Sequence, residues 1–116
     1  MNHPNHLLPP DPMVALIRDG KHEQFNTARS EGATVNLKGA DLGATNLRRF
    51  QIEGLDLSDC NLRQADLRGL DLRTCRLEGA CIPGARIEGA YFPLEISPEE
   101  IRLSQTMGTR MRYGTK

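Results

Sequence analysis

The stretch Ala65-Asp66-Leu67-Arg68-Gly69-Leu70-Asp71-Leu72 sets an aspartate and a leucine side by side and then does so again five residues later. Extended both ways, the same frame places Leu37, Leu42, Leu47, Ile52, Leu57, Leu62, Leu67, Leu72, Leu77, Ile82, Ile87 and Phe92 in twelve successive slots. In a chain that is 38% hydrophobic, twelve apolar residues in twelve slots arise by chance roughly once in 10⁵ trials, so this period decides the fold. A period of five suits neither common element. It rotates about 140° around a helix and, being odd, changes faces along a strand. The chain must therefore turn within every repeat.

Two residues before each of these central positions runs a second series, Val35, Ala40, Thr45, Phe50, Leu55, Cys60, Ala65, Leu70, Cys75, Ala80, Ala85 and Ala90. Residues two apart share one side of an extended segment, so both series face inward, and the central residues are the expected structural core. The slot between them is mostly polar: Asn36, Asp41, Asn46, Gln51, Asp56, Asn61, Asp66, Asp71, then Arg76, Cys81, Arg86 and Tyr91. Two residues after the centre, Gly39, Gly54, Gly69, Gly79, Gly84 and Gly89 mark corners with positive φ.

The stretches Asn36-Leu-Lys-Gly-Ala-Asp-Leu and Ala65-Asp-Leu-Arg-Gly-Leu-Asp-Leu resemble the pentapeptide-repeat family, whose motif is Ala-(Asp/Asn)-Leu-x-x. The resemblance covers Val35 to Leu94, about half the chain, and its pattern weakens in the last coil, where Arg76, Cys81, Arg86 and Tyr91 replace Asp or Asn. It implies a mainly β protein, a right-handed quadrilateral β-helix in which four pentapeptides make one twenty-residue coil. Twelve repeats then make about three coils. Residues twenty apart stack at about 4.8 Å, which aligns Asp56 with Arg76 and Asp66 with Arg86 as opposite-charge rungs.

Stacked coils expose unpaired backbone at both ends, so both need covers. Asp11 to Ser30 carries Met13, Val14, Leu16, Ile17, Phe25 and Ala28 with a break at Asp19-Gly20, which predicts two short helices as an N-terminal cap. Ser97-Pro98-Glu99-Glu100 is a capping box and predicts a helix from Pro98 to Met107, stopped by Gly108. Its apolar residues Ile101, Leu103 and Met107 do not share one side, so part of this helix is available as an interface. The organisation expected is a flexible tail over 1–10, a helical cap over 11–32, repeats over 33–94, and a helix with a mobile tail over 95–116.

Fifteen basic residues balance fifteen acidic ones, which argues against a nucleic-acid or anionic-membrane surface. No export signal and no membrane span is evident, and three cysteines suit a reduced cytoplasmic protein without disulfides. Chemistry is sparse. His3 and His6 sit in the proline-rich start without further ligands, and His22 has no nucleophile beside it. Cys60 and Cys75 take inward slots as small apolar residues, whereas Cys81 faces outward between Arg76 and Arg86. The aspartates recur with the repeat, which argues against a unique acid or base. No catalytic, cofactor or metal residue is expected. Arg48, Arg49, Arg68 and Arg86 share one side and form a candidate anion patch among Asp66 and Glu88.

The reading that follows is a non-enzymatic protein-interaction or scaffolding module with an unidentified protein partner, pairing as a homodimer through its C-terminal end. The alternative implied by the resemblance alone is a DNA-mimicking regulator or protector of a type II topoisomerase, DNA gyrase. Between Val35 and Leu94, eight acids face eight bases, and three coils span only about 14 Å, so the electrostatics of a DNA mimic are missing.

Overall fold

The aspartate or asparagine ahead of each central residue shapes the backbone. The structure, a computed structural model describing residues 11–114, has seven of these side chains accepting the N–H two residues on. Asp66 accepts from Arg68 at 3.2 Å, and Asp71 from Arg73 at 3.1 Å. Each such bond starts a turn. The carbonyl of the central residue then accepts the N–H three residues later, as from Leu67 to Leu70 at 3.2 Å, which closes the corner. The corner residue has positive φ at glycines such as Gly69 (74°), but also at Ala44 (58°), Asp59 (59°) and Gln64 (57°).

After twenty residues the chain returns above itself. Six single parallel bridges join Asp41 to Asn61, Asn61 to Cys81, Asn46 to Asp66, Asp66 to Arg86, Asp56 to Arg76, and Asp71 to Tyr91. Leu42 N–H donates to Asn61 C=O at 2.9 Å, and Asn61 N–H donates to Ala40 C=O at 3.0 Å, a pattern that repeats at each bridge.

This corrects the expected fold class. Among the described residues there is no β-strand and no sheet, and regular secondary structure consists of three helices. The mainly β, right-handed quadrilateral β-helix does not form. Every repeat spends its residues on a corner, so extension lasts for one bridged residue and never lengthens into a strand. What stacks is a set of turns joined by isolated bridges.

Ten central residues, Leu37 through Ile82, are at most 1% exposed, while Ile87 and Phe92 are only half-buried. Phe50, Cys60, Ala65, Cys75, Ala80 and Ala85 fill the space between them. The expected charge rungs are absent as ion pairs. Arg68 turns back to Asp66 at 2.8 Å and Arg73 to Asp71 at 2.8 Å, because the Asx turn already places each arginine beside its own aspartate. Arg76 pairs with Glu78 instead.

Helix α1 (Pro12–Arg18) and helix α2 (His22–Ser30) cover the first coil, broken where Gly20 takes φ 73°. Their side chains stand in for a missing preceding coil. Asp11 accepts the Asn36 N–H, and Asn26 both accepts from Gln51 N–H (2.8 Å) and donates to Arg49 C=O (2.9 Å). Arg18 donates to Asp41 C=O, and Arg29 to the carbonyls of Gln51 and Glu53. Met13, Val14, Ile17 and Phe25 are buried beneath, with Phe25 edge-on to Phe50 at 5.3 Å.

Helix α3 (Pro98–Met107) ends in Gly108 at φ 77°. Only half the capping box forms: Ser97 Oγ accepts from Glu100 N–H at 3.2 Å, while the Glu100 carboxylate accepts from Arg112 N–H at 3.0 Å. That contact is part of a second correction, because the tail expected to be mobile is docked through residue 114. Met111 is fully buried, its N–H donates to Ala80 C=O at 2.8 Å, and its C=O accepts from Gly79 N–H at 2.7 Å. The expected N-terminal tail, with His3 and His6, lies outside the described residues.

Two outcomes are expected. Leu62, enclosed by coils above and below, makes Leu62→Ala cost about 2–5 kcal/mol in denaturant unfolding; a change within error would contradict its place in the core. Second, Arg68 and Arg73 hold the carboxyls of Asp66 and Asp71 at about 2, below the usual 3.8. A depressed folded pKa stabilises above the ordinary pKa and is lost as pH falls. Stability should therefore fall between about pH 4 and pH 2, less steeply in Asp66→Asn/Asp71→Asn; an equal acid slope would contradict these pairings.

Candidate interaction surface at the C-terminal end

Bridge geometry fixes which backbone groups a coil offers to the next. Each bridged residue points its own N–H and C=O downward, while the residue before it offers a C=O upward and the residue after it an N–H. On the third coil these upward groups are the carbonyls of Cys75, Ala80, Ala85 and Ala90 and the N–H groups of Leu77, Ile82, Ile87 and Phe92.

The C-terminal segment answers some of them and leaves others open. Leu77 N–H donates to Tyr113 Oη at 3.0 Å, and Ile82 N–H to Ser104 Oγ at 2.9 Å. Gly84 N–H donates to Gln105 C=O at 2.9 Å, and Gln105 Nε2 to Ala85 C=O at 2.9 Å. Ser104 is fully buried for this purpose. The N–H groups of Ile87 and Phe92 and the C=O groups of Cys75 and Ala90 have no partner among the described residues. Ile87 and Phe92 are also less buried than the other central residues.

Apolar surface accompanies the open edge. Leu94 is 92% exposed, Tyr91 59%, Met107 73% and Leu103 47%. The three helix residues named from the sequence separate: Ile101 packs against the core, whereas Leu103 and Met107 point away from it. Sequence reasoning missed Ser104, Gln105, Met111 and Tyr113, which do the covering. Ser104 and Gln105 stand as ordinary polar helix residues in the sequence, and only an apolar Met111 so close to the end signals that the tail docks.

The four arginines named as a patch are only partly assembled. Arg48, Arg49 and Arg68 line one cleft together with Asn46, Gly69 and Leu70, and Arg86 is not part of its lining. His22 lies 6.2 Å from the Phe50 ring, edge-on, as packing for the N-terminal cap. Among the described residues no group of three or more His, Cys, Asp or Glu could hold a metal ion, and no helix is long and apolar enough to cross a membrane.

Comparison with known proteins gives one result. Residues 56–92, about a third of the chain, match the family model described as pentapeptide repeats, in eight copies. No curated protein and no solved structure matches the chain.

The three thiols are free and differ in setting. Cys60 is buried with its thiol donating to Leu37 C=O at 2.9 Å, and desolvation pushes its pKa up to about 11. Burial likewise raises Cys75, whose thiol donates to Ile52 C=O at 3.1 Å. Cys81 is half-buried beside Asn61 Oδ1 at 3.6 Å. Alkylation of the native protein with mass mapping should label Cys81 first and leave Cys60 and Cys75 unmodified until denaturation. Equal labelling of all three would contradict this register.

Proposed function

Since residues 56–92 are a run of eight pentapeptide repeats, we propose that the chain is a non-enzymatic protein-interaction module whose docking surface is the half-covered C-terminal end. In this reading residues 33–94 form the repeat unit, and residues 11–32 and 95–116 are its end covers. The partner is a second copy of the chain, and no catalytic, metal or cofactor residue is assigned.

The observation that carries the reading is the pair of unmet groups flanking Tyr91. Ala90 C=O and Phe92 N–H both point off the end of the third coil without a partner among the described residues. Two such edges related by a two-fold axis satisfy one another. Phe92 N–H of each copy meets Ala90 C=O of the other, an antiparallel pair centred on Tyr91. Exposed Leu94, and Leu103 and Met107 on α3, supply apolar area at the same end. Association there would cover the Tyr91 edge and the exposed apolar surface, which is the ordinary liability of an uncovered end.

Light scattering across the micromolar range tests the proposal. The native chain is expected as a dimer, and Tyr91→Lys, which sets two ammonium groups against each other across the axis, is expected as a folded monomer. A single 12.9 kDa species at high micromolar concentration would contradict the pairing. So would a dimer unchanged by both Tyr91→Lys and the double variant Leu103→Glu/Met107→Glu.

A further inference from the structure

One corner of the molecule gathers three arginines, of which only Arg68 forms an ion pair among the described residues. An open cleft of about 360 Å³ is lined there by Asn46, Arg48, Arg49, Arg68, Gly69 and Leu70. Arg68 is already engaged, its Nε and Nη2 donating to the two carboxylate oxygens of Asp66 at 2.9 and 2.8 Å. Arg48 uses only Nε, which donates to Arg68 C=O at 3.2 Å. The Arg49 side chain makes no hydrogen bond or ion pair among the described residues, and Arg48 makes no ion pair.

The backbone beneath these two residues is fixed from both directions. Asn46 Oδ1 accepts the Arg48 N–H at 2.9 Å, and Asn26 of α2 donates to the Arg49 carbonyl at 2.9 Å. Phe50, next in sequence, is buried against Phe25 at 5.3 Å. Two neighbouring guanidinium groups thus stand on a corner held by the N-terminal cap, with a third arginine kept in place by its own aspartate.

We propose that this corner is an anion site for a phosphate group, free or carried as a monoester, clamped by Arg48 and Arg49 against the wall formed by Arg68 and Leu70. The choice of phosphate over carboxylate follows from counting acceptors. One carboxylate accepts one planar fork, as Asp66 does from Arg68. A dianionic phosphate has oxygens enough to accept from two guanidinium groups at once, and its charge matches theirs. Asp66 is forked by Arg68 and also feels Arg48 through space, so the nearby carboxylate is shared between two guanidinium groups and Arg49 has no ion-pair partner among the described residues. Glu88 also faces Arg68.

The test is a titration of the full chain, followed by NMR or calorimetry at constant ionic strength, with inorganic phosphate and with O-phosphoserine. Saturable one-to-one binding of at least one probe is expected, weakened about tenfold or more in Arg48→Gln/Arg49→Gln and unchanged in Arg86→Gln, which lies outside the cleft. Tighter binding of O-phosphoserine would assign the natural ligand to a phosphorylated group, and tighter binding of inorganic phosphate to the free anion. Arg48→Lys, which keeps the charge and loses the fork, is expected to bind more weakly than the native chain. Three results would overturn the proposal: no saturation with either probe, equal binding by the Arg48→Gln/Arg49→Gln variant, or an equal loss in Arg86→Gln that marks a diffuse surface potential.

Discussion

The hydrogen bond from a central residue to the coil above it, made by Leu42, Leu47, Leu57, Leu62, Leu67 and Leu72, is the contact on which the rest depends. Leu62 N–H reaches Cys81 C=O at 2.8 Å, and Leu67 N–H reaches Arg86 C=O at 2.8 Å, while the same two side chains fill the interior. One residue type therefore serves the core and the vertical ladder together. Because a repeat has five residues and must turn, each side offers only one bridge, and the coils are joined by many isolated contacts in place of continuous strands. Such a stack cannot end without leaving donors and acceptors open.

The two ends meet that requirement differently. At the first coil, Asp11, Arg18, Asn26 and Arg29 reach down from α1, α2 and the residue before them to answer backbone groups on several sides. At the third coil, α3 and the docked tail answer the N–H groups of Leu77, Ile82 and Gly84 and the carbonyls of Ala80 and Ala85, and leave the Tyr91 side open. Both covers are partial, since the Asn46 N–H and C=O of the first coil also lack a partner among the described residues, and the C-terminal end carries Leu94, the most exposed leucine among them. Aspartates in the repeat serve the turns, and Arg18, Arg63, Arg68 and Arg73 pair with them. At the corner of Arg48 and Arg49 neither arginine forms such a pair among the described residues.

Much of this was legible in the sequence, and the exceptions have physical causes. The five-residue period located every central residue, and the Gly20 break and the Ser97 cap located three helices, because both signals are local. The fold class was misjudged because inward-facing alternation says that a segment is extended but not for how long; one bridged residue per side is too short for a strand. Charge rungs were misplaced because stacking brings Asp66 and Arg86 together in the backbone, yet Arg68 is tied nearer by its own turn. The covering role of Ser104, Gln105 and Tyr113 depends on where α3 lands, which no local pattern encodes.

Amide hydrogen exchange at single-residue resolution, repeated over a range of protein concentration, addresses the open edge most directly. Leu62 and Leu67 N–H, bonded between coils, should be protected at every concentration, and Ile87 N–H should exchange fast throughout. Phe92 N–H should exchange fast in dilute protein and become protected as concentration rises, since only a second copy supplies its acceptor. A Phe92 amide that exchanges fast at all concentrations, or is already protected in a monomer, would contradict the account.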